Sequence, residues 1–138
     1  MKTYFLSLGV LMLSLCLLPL LSGCDPSHAA TTITDADLAH DESGKHVTST
    51  FKPTDHTIYV VGWLNGPGSG VKMKAVWTQV NAGGVKNKVL TENDFTVEGT
   101  TSAISGHITR NTDWPVGTYR TELYFDGRVD KTLEWQVK

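Results

Sequence analysis

Cysteine is nearly missing from this chain: Cys16 and Cys24 are its only two among 138 residues. Two thiols cannot staple a disulfide-rich scaffold, nor complete a four-thiolate zinc site. Charge is also thin, at 19% of residues, with a formal net charge of -2. Without a basic excess nothing neutralises a phosphate backbone, so nucleic acid is not an expected partner. The 13 glycines and 5 prolines are too few for a collagen-like or low-complexity chain. What remains, 40% hydrophobic and 9% aromatic residues, is enough for one packed domain.

One long apolar run is present. Lys2 precedes an uncharged stretch from Tyr4 to Leu21, the n-region and h-region of a secretory signal peptide. Eighteen residues also approach the length of a membrane span. The residues that follow favour the signal peptide. Leu21-Ser22-Gly23-Cys24 is an aliphatic residue, two small residues and a thiol, and it resembles the lipobox of bacterial lipoproteins. The resemblance implies cleavage of residues 1–23 and a diacylglycerol thioether on Cys24, with an N-acyl chain on the new terminus. Each buried methylene contributes about 0.8 kcal/mol, so two or three acyl chains (palmitate among them) anchor a protein to a membrane durably. Cys16 would leave with the leader, removing every free thiol from the mature chain. No cofactor is expected beyond this lipid. Asp25, directly after the lipidated position, resembles the sorting residue that disfavours export to the outer membrane of enterobacteria. It favours the periplasmic face of the inner membrane.

Residues 24–46 are polar and acidic, with Asp25, Asp35, Asp37, Asp41 and Glu42 against Lys45, and with Ile33 and Leu38 as the large aliphatics. This composition predicts a disordered, solvated tether, or a short helical turn capped by Thr34. Its histidines His28, His40 and His46 lie among carboxylates, which makes them weak candidate metal ligands. The spacing of His40 and His46 matches no ligand clip, so solvated side chains are the favoured reading and metal binding the alternative.

From residue 47 to 138 the texture changes to short β-branched and aromatic runs between Gly, Asn, Asp and Pro. Strands are predicted over 47–52, 57–65, 71–81, 85–90, 95–98, 103–110, 118–125 and 129–137, which indicates an all-β antiparallel sandwich or barrel of about 7–8 strands. Asp126-Gly127 predicts a two-residue type I′ hairpin. Tyr119, Thr121, Leu123 and Phe125 alternate with wet residues before it, and Val129, Leu133, Trp135 and Val137 do so after it. Lys131 breaks the pattern, as a residue near a sheet edge does.

Two features resemble immunoglobulin-like sandwiches. Trp77 lies mid-strand on a face with Val71, Met73 and Ala75, like the core tryptophan of the third strand. Trp114-Pro115-Val116-Gly117-Thr118-Tyr119 is similar to the corner in which a tyrosine hydroxyl caps nearby backbone. Thr121 stands where antibody domains carry their second cysteine. The resemblance implies a fold and no activity.

Little here points to catalysis. The glycines of 65–70 open onto a strand, whereas phosphate-cradling loops open a helix. Ser105-Gly106-His107 lies within a predicted strand and lacks the strained elbow of a hydrolase nucleophile. The chain is therefore not expected to be an enzyme. The anomaly is residues 58–64, apolar on both faces: Ile58, Val60 and Leu64 on one, Tyr59, Val61 and Trp63 on the other. Either a loop or the tether covers the second face, or it is an exposed patch for a protein partner, a second copy or a glycan. Tyr59, Trp63, Trp114 and Tyr124 are the candidate partner-binding residues. Small lipoproteins of this design include envelope-complex accessories, inhibitors and phage-exclusion proteins, so a non-catalytic binding or accessory module is the expected function.

Overall fold

The computed structural model describes residues 31–66, 70–99 and 101–138. The expected leader, together with Cys24, Asp25 and His28, lies outside the described residues. Eight strands follow in chain order: β1 (Ile33–Ala39), β2 (Thr50–Phe51), β3 (Thr57–Leu64), β4 (Lys72–Ala82), β5 (Val85–Thr96), β6 (Ala103–Thr109), β7 (Gly117–Phe125) and β8 (Arg128–Val137). They form a three-stranded sheet in the order β1-β3-β6 and a five-stranded sheet in the order β2-β8-β7-β4-β5. Every pairing is antiparallel except the short β2–β8 contact.

Alternation of side chains builds the sandwich. Ile58, Val60 and Leu64 from β3 face Met73, Ala75 and Trp77 from β4, joined by Leu123, Trp135 and Val137. At one end five aromatic rings converge. Trp135 stacks on Tyr119 at 4.4 Å and meets Phe51, Trp77 and Trp114 edge-on. Edge-to-face and offset arrangements suit the ring quadrupole. Trp135 also donates its indole N–H to the Thr121 hydroxyl at 3.0 Å, in the interior. The Tyr119 hydroxyl donates to the Pro115 carbonyl at 2.7 Å, as the corner motif requires.

The β7–β8 hairpin turns through Asp126 and Gly127 with φ of 47° and 79°, the left-handed pair of a type I′ turn. Lys131 pairs with Leu123 while Val129 pairs with Tyr124, so a bulge at Asp130 interrupts the alternation. The Asp130 carboxylate accepts the Ile33 N–H at 2.8 Å and ties the two sheets together.

Three expectations need correction. The domain does not begin at residue 47: residues 33–39 form β1 and pair with β3 from Ile33↔Leu64 to Ala39↔Tyr59. Neither a disordered tether nor a helical turn describes them. A bulge between Ile33 and Asp35 places Ile33, Ala36 and Leu38 on the buried face. The strand expected over 47–52 shrinks to Thr50–Phe51, paired with Gln136 and Val137. The two strands expected over 85–90 and 95–98 are one continuous edge strand, β5. Its polar middle, Thr91 to Asp94, is tolerated because one side of that strand meets solvent.

Candidate functional site

The outer face of the three-stranded sheet carries the anomaly seen in the sequence. β3 is its central strand, and β1 and β6 place Asp35, Asp37 and Ala39 on one side of Trp63, Val61 and Tyr59, and Ala103, Ser105 and His107 on the other. Tyr59 and His107 are opposite one another, their rings 5.6 Å apart and tilted. Thr34 donates its hydroxyl to the Trp63 carbonyl at 3.0 Å.

Residues 41–46 fold over this face as a compact loop organised by one carboxylate. Asp41 Oδ1 accepts the backbone N–H groups of Ser43 at 3.0 Å and Lys45 at 3.2 Å. Its Oδ2 accepts the His46 N–H and meets His46 Nδ1, both at 2.9 Å. The Ser43 hydroxyl bond, together with those from Lys45 and His46, holds the Asp41 carboxyl well below the usual carboxylate range. Gly44 completes the turn at φ 68°, and a Cβ there would lie 2.9 Å from Val61 Cγ2. The loop thus rests on Val61, which is only 5% exposed, and on the edge of the Trp63 ring. Trp63 itself remains 37% exposed and Tyr59 part-buried. The centre of the apolar face is thus covered by the loop, as a structural strand requires, while Trp63 and part of Tyr59 meet solvent.

Acids share this face, Asp35 opposite Trp63 and Asp37 opposite Val61. Asp35 and Glu42 are exposed, Asp37 is half-buried, and Lys45 is the nearby cation of the loop. Glu42 accepts the Ser105 hydroxyl at 3.3 Å, which turns Ser105 toward the loop and not toward His107. No nucleophile–base pair results from Ser105 and His107.

The other candidates lie elsewhere. Trp114 is not a surface residue: it is 2% exposed, its indole N–H donates to the Asp55 carbonyl at 2.9 Å, and the Arg110 guanidinium sits 5.2 Å from its ring centre. A proline-flanked turn looks external in sequence, but this one folds its tryptophan inward over Tyr119. Tyr124 belongs to the opposite sheet, where Lys74 is its register partner and also bonds Glu92 at 3.0 Å. Tyr59 and Trp63 therefore share a face that Trp114 and Tyr124 do not extend.

The histidines diverge. His40 packs edge-on against Phe51 with its Nδ1 3.8 Å from Asp55, whereas His46 faces Asp41. His56 meets Asp113 at 3.2 Å. Among the described residues no three His, Cys, Asp or Glu side chains are grouped to hold a metal. The loop-organising roles of Asp41 and Gly44 were not expected from sequence, although Asp-x-Ser-Gly is a turn signature in which an Asp side chain caps backbone amides.

Similarity to known proteins follows this geometry. The sandwich matches an immunoglobulin-like protein from Pseudomonas aeruginosa at TM-score 0.53 and 10% identity, covering 81% of this chain and 99% of that one. The fold is immunoglobulin-like. Pseudomonas fluorescens alkylpurine DNA glycosylase AlkC, solved bound to DNA containing an abasic site analogue, overlaps at TM-score 0.48 and 12% identity, covering 78% of this chain and 30% of that one. No protein-family model matches the chain, and no curated protein matches it.

Proposed function

We propose that this immunoglobulin-like domain is a non-catalytic binding module, held at the periplasmic face of the cell envelope by lipid on Cys24, that engages a protein partner through Tyr59 and Trp63. The observation that carries the reading is the part-exposed Trp63, with the exposed Asp35 as its register partner on β1, Asp37 opposite Val61 and Glu42 bonded to Ser105 on the same face. A large aromatic left partly in water, beside carboxylates, suits a basic segment that lays a Lys or Arg over the ring. Such a contact contributes about 0.5–2 kcal/mol, more as water is excluded. The position of Asp25 after the lipidated cysteine supports inner-membrane retention. An accessory role in an envelope complex, an inhibitor and a phage-exclusion protein all use such an anchored platform.

Two experiments test the parts separately. Metabolic labelling with a palmitate analogue should mark the wild-type chain and not Cys24→Ser; labelling that persists in the variant overturns the anchor. Crosslinking in membranes should trap a partner that Trp63→Ala loses while its circular dichroism stays native. A crosslink pattern unchanged by Trp63→Ala overturns the assignment of the binding face.

A further inference from the structure

Among the described residues β6 is an edge strand of its sheet, and the register assigns its outward backbone groups. Arg110 N–H donates to the His56 carbonyl at 2.9 Å, and Leu64 N–H donates to the Ser102 carbonyl at 2.8 Å. Between these two bonds β3 and β6 stay in register without a shift, from Thr57↔Thr109 to Trp63↔Ala103. Antiparallel ladders alternate bonded and non-bonded pairs, so Ile104, Gly106 and Ile108 are the β6 residues that bond β3. Ala103, Ser105, His107 and Thr109 turn their N–H and C=O groups away from it. Nothing among the described strands pairs with that side. β5, on the neighbouring edge of the other sheet, leaves a cleft of about 450 Å³ between its Thr91 and Asn93 and the His107–Arg110 stretch.

Exposed edges are ordinarily defended by charge, proline or bulges. β1 carries Asp35 and Asp37 and a bulge. β5 carries Lys86, Lys88, Glu92 and Asp94, a register shift, and Asn87 at φ 50°. β8 carries Arg128, Asp130, Lys131 and Glu134 with its own bulge. β6, Ala-Ile-Ser-Gly-His-Ile-Thr, has no acid, lysine, arginine or proline, and it is regular along its length.

We propose that β6 is a self-association edge, on which a second copy of this chain pairs antiparallel about a two-fold axis at Gly106. The outward positions 103, 105, 107 and 109 are evenly spaced about that residue. Ala103 meets Thr109 of the second copy and Ser105 meets its His107, so every free N–H and C=O of those four residues finds a partner. No acid or permanently charged side chain lies on β6, so the pairing opposes no like charges of that kind. Gly106 faces Gly106 of the second copy as a non-bonded pair, where the two backbones come within about 4.5 Å. The two three-stranded sheets become one continuous sheet. The proposal uses different groups from the Tyr59/Trp63 face and does not rest on it.

Sedimentation of the purified full chain in mild detergent tests it, with two variants. Wild type should sediment as a dimer. His107→Pro removes one outward N–H at a position that gives no bond to β3, and should weaken the dimer at least about tenfold with an unchanged circular dichroism spectrum. Gly106→Cys is tolerated sterically, since its Cβ would lie 3.5 Å from Val60 Cγ1, an ordinary contact. On mild oxidation it should give a disulfide-linked dimer, because the expected Cα separation lies within the range that a disulfide spans. Lys88→Cys on β5 should not. The Gly106→Cys result decides the matter even where His107→Pro fails to fold. A wild-type monomer at all concentrations with no Gly106→Cys dimer overturns the proposal, as does a dimer that neither variant touches. Trp63→Ala should leave the dimer intact, which separates this edge from the partner-binding face.

Discussion

Replacing Thr121 by valine keeps the shape of the side chain and deletes one oxygen. Thr121 is fully buried, Trp135 is 1% exposed, and the indole N–H of Trp135 donates to the Thr121 hydroxyl at 3.0 Å. Because the pair is buried, losing the acceptor leaves the indole N–H unpaired at a cost of about 1–3 kcal/mol. For a domain of this size each kcal/mol lowers the melting temperature by about 4–8 °C, so a fall of roughly 10 °C is expected. Urea unfolding followed by tryptophan fluorescence should show an earlier midpoint with an unchanged slope. A double-mutant cycle isolates the bond. In a Trp135→Phe background the donor is gone, and Thr121→Val should cost at least about 1 kcal/mol less than in wild type. Thr121→Val as stable as wild type, or a cycle that shows no coupling, refutes the account of the position where antibody domains place a cysteine.

Gly117→Ala should destabilise by about 3 kcal/mol or more, measured by the same unfolding assay, because φ is 150° and the new Cβ would fall 2.3 Å from the Asn81 carbonyl oxygen. Asp41→Ala should free the 41–46 loop and uncover Val61, read as raised dye binding to apolar surface and faster exchange of the Ser43, Lys45 and His46 amides; unchanged exchange would remove Asp41 from its organising role. The Asp41 carboxyl is depressed below its ordinary 3.8, so its contribution to folding is complete above that value and is lost as pH falls through the lower native pKa. Carboxyl NMR should find it titrating below 3.8, and a value at or above 3.8 contradicts the geometry. Tyr119 is pushed above 10.0 by burial, with Arg110 opposing, so its stabilising share persists below the ordinary tyrosine range and is lost as pH rises through the raised value. A phenolate absorbance titration should show one late-ionising tyrosine that Tyr119→Phe removes.

The C-terminal hairpin was the most legible part of the chain. Its exception is Val129, expected on the buried face of β8, which lies before the bulge and is 49% exposed. Asp126-Gly127 fixes the turn, and period-two alternation fixes the buried face on β7 and from Leu133 to Val137 on β8, so local chemistry and packing agree there. The Tyr119 corner was legible for the same reason, since its bond to Pro115 spans only four residues. β1 was illegible. Its bulge spaces the inward residues Ile33, Ala36 and Leu38 at three and then two, which imitates a helical interval, and its remaining residues are acids, Thr and Ala. Trp114 was misplaced because burial of a loop residue depends on distant partners, here Asp55 and Trp135. The two-sided apolarity of β3 did mark the outer face, yet sequence could not say that Gly44 would lie on Val61 while leaving Trp63 in part uncovered.

β1 also alters the reach of the domain. A tether from Cys24 to residue 47 would allow about 80 Å of extended chain, at about 3.5 Å per residue. With Ile33 already locked into the sheet, at most about 30 Å of extended chain could separate Cys24 from the folded body. Were Cys24 lipidated as proposed, a domain on so short a leash would sweep a thin layer above the bilayer, not the depth of the periplasm. The partners within its range would then be those embedded in the same membrane or resting on it, met by lateral diffusion at a local concentration far above that of a free protein.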